Sequence, residues 1–83
     1  MDCKVLEQEK GEGKYKHVMG AVKVRQENGK TCNVGSGFSD EERSTFWKKS
    51  IKNKIIEVSY QSLTDDGLMR FPRFMRMRPD KTR

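Results

Sequence analysis

Cations gather at the carboxyl end of this chain. The run Arg70-Phe71-Pro72-Arg73-Phe74-Met75-Arg76-Met77-Arg78-Pro79-Asp80-Lys81-Thr82-Arg83 sets six positive charges against Asp80 alone, a net of +5. The first 69 residues hold twelve Lys/Arg and eleven Asp/Glu, so nearly all of the net +6 sits in this segment. Guanidinium and ammonium groups interleaved with Phe and Met suit a surface that faces a polyanion. Arg78, Asp80 and Lys81 set two phosphate-type donors and one carboxylate within four residues. On those four residues alone, a solvated basic tail is the simpler account. Arg70, Arg73 and Arg76 suit salt-dependent phosphate-backbone contacts with little sequence preference, beside the plainer role of surface arginines that confer solubility.

A second basic group is Lys14-Tyr15-Lys16-His17. Two lysines around an aromatic can combine phosphate contact with packing on a sugar or base. Tyr15 reads equally well as a core residue at one end of a barrel, and His17 reads as a surface histidine. Lys23 and Arg25 alternate with Val22 and Val24, which puts both on an outward strand face that either extends the basic track or simply faces water.

Other chemistries are excluded or disfavoured. His17 is the sole histidine, and Cys3 and Cys32, the only cysteines, have no C-x-x-C spacing. A structural zinc site needs about four such ligands, so no metal site is expected. Two isolated cysteines in a basic chain suit free thiols in a reducing cytosol. No apolar run is long enough to span a membrane, and no signal-peptide pattern is present. Asp65-Asp66-Gly67 reads as a turn rather than a metal site.

The elements that must position these groups follow from alternation and turn residues. Eighty-three residues make one domain, residues 1–83, with a small core. Residues 3–8 form a first strand and Val18–Gln26 a second. Asn28-Gly29 suits a type I′ hairpin turn, and Thr31–Val34 returns as the third strand with Cys32 and Val34 inward. Ser39 caps a short helix that runs to about Lys49, with Glu42 completing a capping box and acids at its positive end. Phe38, Phe46 and Trp47 read as core, Trp47 at the barrel mouth. Ile55–Ser62 is the fourth strand, with Ile56, Val58 and Tyr60 on one face and Glu57, Ser59 and Gln61 on the other. A fifth runs from about Met69 to Arg78, with Met75 and Met77 inward and Arg76 outward. The order β-β-β-α-β-β, with one helix between strands three and four, is that of a five-stranded OB-fold barrel, a mainly β class; an SH3-like barrel is the runner-up.

Taken in order, several stretches resemble one family. They are Gly13-Lys14-Tyr15-Lys16 with Met19-Gly20-Ala21-Val22; Val34-Gly35-Ser36-Gly37-Phe38-Ser39-Asp40-Glu41-Glu42-Arg43; Tyr60-Gln61-Ser62-Leu63-Thr64; Arg70-Phe71-Pro72-Arg73-Phe74; and Arg78-Pro79-Asp80-Lys81. They resemble the C-terminal OB-fold domain of small ATP-dependent DNA ligases of bacterial or viral type, and the resemblance covers nearly the whole chain. It implies an upstream nucleotidyltransferase domain whose Lys-x-Asp-Gly lysine is adenylylated by ATP. That motif occurs nowhere in these 83 residues, so the domain alone is expected to be inactive.

Arg78, Asp80 and Lys81 match the family's terminal Arg-x-Asp-Lys motif. By resemblance they handle the ATP phosphates during adenylylation, orienting pyrophosphate and neutralising its developing charge. Asp80 would hold a cation, a metal-bound water or Arg78, and Pro79 stiffens the variable position. Lys14, Tyr15, Lys16, Lys23, Arg25, Arg70, Arg73 and Arg76 become the expected DNA contacts. The implied partners are nicked duplex DNA and the nucleotidyltransferase domain. ATP and Mg belong to the complete ligase rather than to this domain, which is expected to be a cytoplasmic monomer serving DNA repair, replication or recombination. A stand-alone OB-fold that binds single-stranded nucleic acid is the competing reading. A protein-interaction barrel is a third.

Overall fold

The computed structural model describes residues 1–78. Its elements are β1 (Asp2–Lys10), a 3-10 turn (Gly13–Tyr15), β2 (Met19–Arg25), β3 (Thr31–Val34), α1 (Asp40–Lys48), β4 (Ile55–Ser59), β5 (Ser62–Leu63), β6 (Met69–Arg70) and β7 (Arg73–Met77). Five strands form one antiparallel sheet in the order β3-β2-β1-β4-β7, and β5 and β6 form a separate hairpin.

The sheet curls because single extra residues are inserted along it. The β1–β2 register shifts between Val5 and Glu7 and between Glu9 and Lys10, and the β4–β7 register shifts between Glu57 and Val58. Each bulge bends its strand and adds local twist. Curling brings the two outer strands together without closing the ladder. Their approach is bridged where Phe74 N–H donates to the Ser36 carbonyl at 2.8 Å, just beyond β3. The expected five-stranded barrel is therefore an OB-fold with an open sheet.

Inward residues supply a compact core: Cys3 and Val5 from β1, Met19, Val22 and Val24 from β2, Val34 from β3, Ile56 and Val58 from β4, and Phe74 from β7. Helix α1 closes one end. Ser39 Oγ accepts from Glu42 N–H at 3.0 Å, while Glu42 Oε1 accepts from Ser39 N–H at 2.8 Å, the expected reciprocal cap. Phe38 stacks on Phe74 at 4.4 Å between centroids, and Phe46 meets both rings edge-on. Trp47 stays partly exposed. Cys3 and Cys32 are free thiols; Cys3 is buried, and partial burial raises the Cys32 pKa.

Four local expectations are corrected. The strand expected over 69–78 breaks at Phe71, whose φ is +53°, and at Pro72, which has no N–H to give a ladder. The halves separate, so that β6 pairs with β5 and β7 with β4. Met75 is the extra residue of the β4–β7 bulge, since Glu57 faces Arg76 and Val58 faces Phe74. It is consequently 52% exposed rather than inward. The fourth strand, expected to reach Ser62, ends at Ser59, which leaves Tyr60 beyond it. At the β2–β3 turn only Gly29 has positive φ, so the turn is not type I′. Gly29 N–H bonds to the Gln26 carbonyl at 3.0 Å and Asn28 Oδ1 accepts from Lys30 N–H at 3.0 Å.

Two glycines separate backbone strain from lack of space. Gly29 and Gly37 have φ of +86° and +92°, but a Cβ on Gly29 would meet nothing within 4 Å, whereas one on Gly37 would lie 2.3 Å from the Phe74 carbonyl oxygen. Gly29→Ala is expected to cost about 1 kcal/mol, from φ alone. Gly37→Ala should cost at least about 2 kcal/mol more, because the two sheet edges must move apart. Urea unfolding of both variants measures this; equal losses would show that the edge contact at Gly37 is not tight.

Candidate nucleic-acid interface

The loop between β1 and β2 carries Lys14, Tyr15 and Lys16 on a short hydrogen-bonded turn. Tyr15 N–H bonds to the Glu12 carbonyl at 3.0 Å, Lys16 N–H to Gly13 at 3.2 Å, and Val18 N–H to Tyr15 at 3.0 Å. Lys14 and Lys16 are exposed, whereas Tyr15 is half-buried. One side of the Tyr15 ring is engaged by the Arg43 guanidinium, 4.2 Å from its centroid, and Lys14 Nζ lies 4.9 Å from the same centroid. A hydrogen bond with the Tyr15 side chain raises the Lys14 pKa, so Lys14 stays fully cationic. Tyr15 thus ties the loop to the body of the domain.

Arg43 is the anchor of that arrangement, and composition alone does not point to it. It projects from α1 and is 6% exposed. Beyond the Val22–Val34 pair, β2 and β3 part, and Arg43 occupies the gap. Its Nη1 donates to the Met19 and Gly20 carbonyls at 3.1 and 2.6 Å, and Nη2 donates to Gly35 at 2.8 Å. The guanidinium also approaches the Phe38 ring, at 5.6 Å. Only Nε lacks a partner. Three carbonyls and two ring faces therefore stabilise a buried cation through hydrogen bonds and cation–π attraction.

Lys23 and Arg25 lie on the outward face of β2. Lys23 sits between Glu7 of β1 and Asn33 of β3; Arg25 sits between Lys4 and Thr31. Like charges directly opposite on a sheet destabilise it, so the Lys4–Arg25 pair runs against stability and suits an anionic partner. Lys4, absent from the sequence-based set, joins the surface through this register alone.

At the other edge, Arg70 and Arg73 are exposed on either side of the kink, and between them Phe71 is 74% exposed. A large side chain held at positive φ and facing water is an uncommon and unfavourable arrangement, of the kind that concentrates at binding sites. Phe71 was also not among the sequence-based candidates; the adjoining Pro72 is its one sequence signal. Arg76 is exposed on β7, and its Nε bonds Glu57 Oε1 at 2.9 Å. Arg78 is more enclosed, with Nη1 3.1 Å from Glu57 Oε1 and 3.5 Å from Asp2 Oδ1. Asp80 and Lys81 lie outside the described residues, so only Arg78 of that motif is placed. The described residues enclose no pocket, so these groups form an open surface. Among them no three His, Cys, Asp or Glu side chains converge as metal ligands.

A curled five-stranded antiparallel sheet with one helix between β3 and β4 defines an OB-fold domain. Residues 10–78 match the family model of the DNA ligase OB-like domain, and the chain belongs to that family. It is 31% identical over 75 residues to a DNA ligase of Haemophilus influenzae, covering 90% of this chain and 26% of that protein. A solved structure from a study of DNA binding with a minimal scaffold by Lig E DNA ligases superposes with a TM-score of 0.84 at 31% identity, over 93% of this chain and 29% of that one. The Chlorella virus DNA ligase-adenylate shares the fold, with a TM-score of 0.82 at 23% identity over 94% of this chain and 29% of that one. The chain thus spans less than a third of the length of these relatives. No helix among the described residues is long and apolar enough to cross a membrane.

Two outcomes test the site's construction. Arg43→Met should destabilise the domain by about 3 kcal/mol, because the buried Met19 carbonyl and the partly buried Gly20 and Gly35 bonds lose a charged donor. It should also speed amide exchange at Tyr15 and Val18; unchanged exchange there would separate Arg43 from the loop. Glu57 is held below the ordinary glutamate pKa, chiefly by its hydrogen bond from Arg76. A depressed carboxylate stabilises the fold above its unfolded pKa, and that stability is lost as pH falls through the folded value. Carboxyl NMR titration should therefore find a low Glu57 midpoint that moves up in Arg76→Gln; an unmoved midpoint would remove Arg76 as the cause.

Proposed function

We propose that this chain is the OB domain of an ATP-dependent DNA ligase. In one orientation it grips nicked duplex DNA; in another it presents Arg78, Asp80 and Lys81 to ATP during adenylylation of a nucleotidyltransferase domain. The single observation that carries the DNA reading is the set of exposed cations on the β1–β2 loop, on β2 and beside the exposed Phe71, on a fold shared with DNA ligases. Lys14, Lys16, Lys23, Arg25, Arg70 and Arg73 are all exposed. They suit phosphates, which supply affinity without sequence preference, as a nick sealer requires. Tyr15 acts by holding the loop. Phe71, flanked by Arg70 and Arg73, suits apolar contact with sugars or bases in a groove.

For the ATP step, the donors this chain brings are cationic and fit the triphosphate rather than its magnesium ion. ATP supplies the adenylyl group and the pyrophosphate leaving group. Arg78 and Lys81 would orient that pyrophosphate in line and neutralise its developing charge, and Asp80 would fix a cation or Arg78 beside it. The complete reaction, joining a 3′-hydroxyl to a 5′-phosphate, needs the nucleotidyltransferase lysine, so the 83-residue chain alone is inactive. We place it in the cytoplasm as a monomer, in DNA repair, replication or recombination.

Titration with nicked duplex at low salt tests the DNA part. Binding should be insensitive to base sequence, weaker for a single strand, and steeply salt-dependent. Lys14→Ala with Lys16→Ala should lower affinity about tenfold and flatten the log K against log salt slope by about 2. Binding indifferent to salt, or tighter for the single strand, would overturn the ligase reading of this surface.

A further inference from the structure

Among the described residues, Asp2 of β1, Glu57 of β4, Arg76 of β7 and Arg78 just beyond it form a charge cluster. The register sets Asp2 opposite Glu57 and Glu57 opposite Arg76. Two carboxylates directly opposite on adjacent strands repel. Arg78 relieves that repulsion, because its Nη1 lies 3.1 Å from Glu57 Oε1 and 3.5 Å from Asp2 Oδ1. Its backbone is fixed as well, since Arg78 N–H donates to the Ile55 carbonyl at 2.9 Å. The side chain retains 22% exposure against 65% for Arg76, so Arg78 lies more closely on the sheet than its neighbour.

We infer that Asp2 and Glu57 form a carboxylate latch that holds the Arg78 guanidinium against the sheet until a polyphosphate displaces them. The inference rests on the reading of Arg78 as a phosphate-handling residue. A phosphate oxygen that reaches Nη1 must come in where the two carboxylate oxygens stand, against their negative charge. Arg76 makes the release reversible: when Arg78 leaves, Glu57 keeps its 2.9 Å bond to Arg76 Nε. Partly exposed ion pairs are weak, so the latch biases the position of Arg78 without locking it. Asp2 and Glu57 are thereby positioning residues. They keep the motif's leading arginine occupied when no triphosphate is present, including while the domain is engaged elsewhere.

The probe is inorganic tripolyphosphate, titrated into the 83-residue chain by calorimetry at low salt. Glu57→Gln and Asp2→Asn should each tighten binding about threefold, and either gain should vanish in an Arg78→Gln background. Glu7→Gln removes a carboxylate from the same face, opposite Lys23, and should give no comparable gain. An equal gain from Glu7→Gln would reduce the effect to net charge and overturn the latch. So would wild-type or weaker binding by Glu57→Gln and Asp2→Asn while Arg78→Gln alone still weakens binding; in that case the phosphate role of Arg78 stands. If Arg78→Gln leaves tripolyphosphate binding unchanged, the phosphate reading itself fails, and the latch with it.

Discussion

A buried guanidinium organises one end of this small domain. Arg43 has no carboxylate among its hydrogen-bond partners; it is held by the carbonyls of Met19, Gly20 and Gly35 and by the faces of Tyr15 and Phe38. Burying an arginine is costly unless its donors are used, and here the use is structural. The curl that lets the sheet wrap its core also makes β2 and β3 part beyond Val22 and Val34, leaving carbonyls in need of donors. Arg43 supplies them from the helix. One side chain therefore ties helix to sheet and, through Tyr15, the basic loop to both. The capping box at Ser39 and Glu42 fixes where the helix starts, and so fixes the reach of Arg43.

The same curl distributes the charges. Bulges and the Phe71 kink let one short sheet turn its hydrophobic side inward at Val24, Val58 and Phe74 while Lys23, Arg25, Arg73 and Arg76 stay outward. Two groups of outward cations differ electrostatically. Arg25 faces Lys4, a like-charge pair that favours an anion from outside. Arg76 and Arg78 face Glu57 and Asp2, a compensated cluster in which an external anion must compete. For Arg25 and Arg78, that difference parallels the proposed division between a DNA grip and intermittent handling of a triphosphate. Two other side chains fasten the far turns: Gln26 and Asn28 both donate to the Gly67 carbonyl, at 2.7 and 2.9 Å.

Much of this was legible from the residues because the signals were local. Ser39 with Glu42 marks a helix start by side-chain chemistry alone, and Thr31–Val34 follows from its turn and its alternation. The ordered stretches from Gly13 to Lys81 carried the family. What was not legible depends on partners distant in sequence. Met75 faces outward because a bulge against β4 reverses the parity of β7, which no reading of β7 alone reveals. Lys4 joins the basic surface only through register with Arg25. Arg43 resembles any helix-surface arginine until the parting strands are known. Phe71 is an intermediate case: Pro72 advertised a break, but not the left-handed turn that leaves the ring in water.

The central claim is that the exposed cations of the Lys14–Lys16 loop, of β2 and of the Arg70–Arg73 kink meet duplex DNA. The most direct test is amide NMR of the 83-residue chain titrated with a short nicked duplex. Shifts should concentrate at Lys14, Lys16, Lys23, Arg25, Arg70, Phe71 and Arg73, and the Asp65–Asp66 turn should stay silent. Shifts that cluster at that acidic turn, or that spread evenly over the surface, would contradict the account.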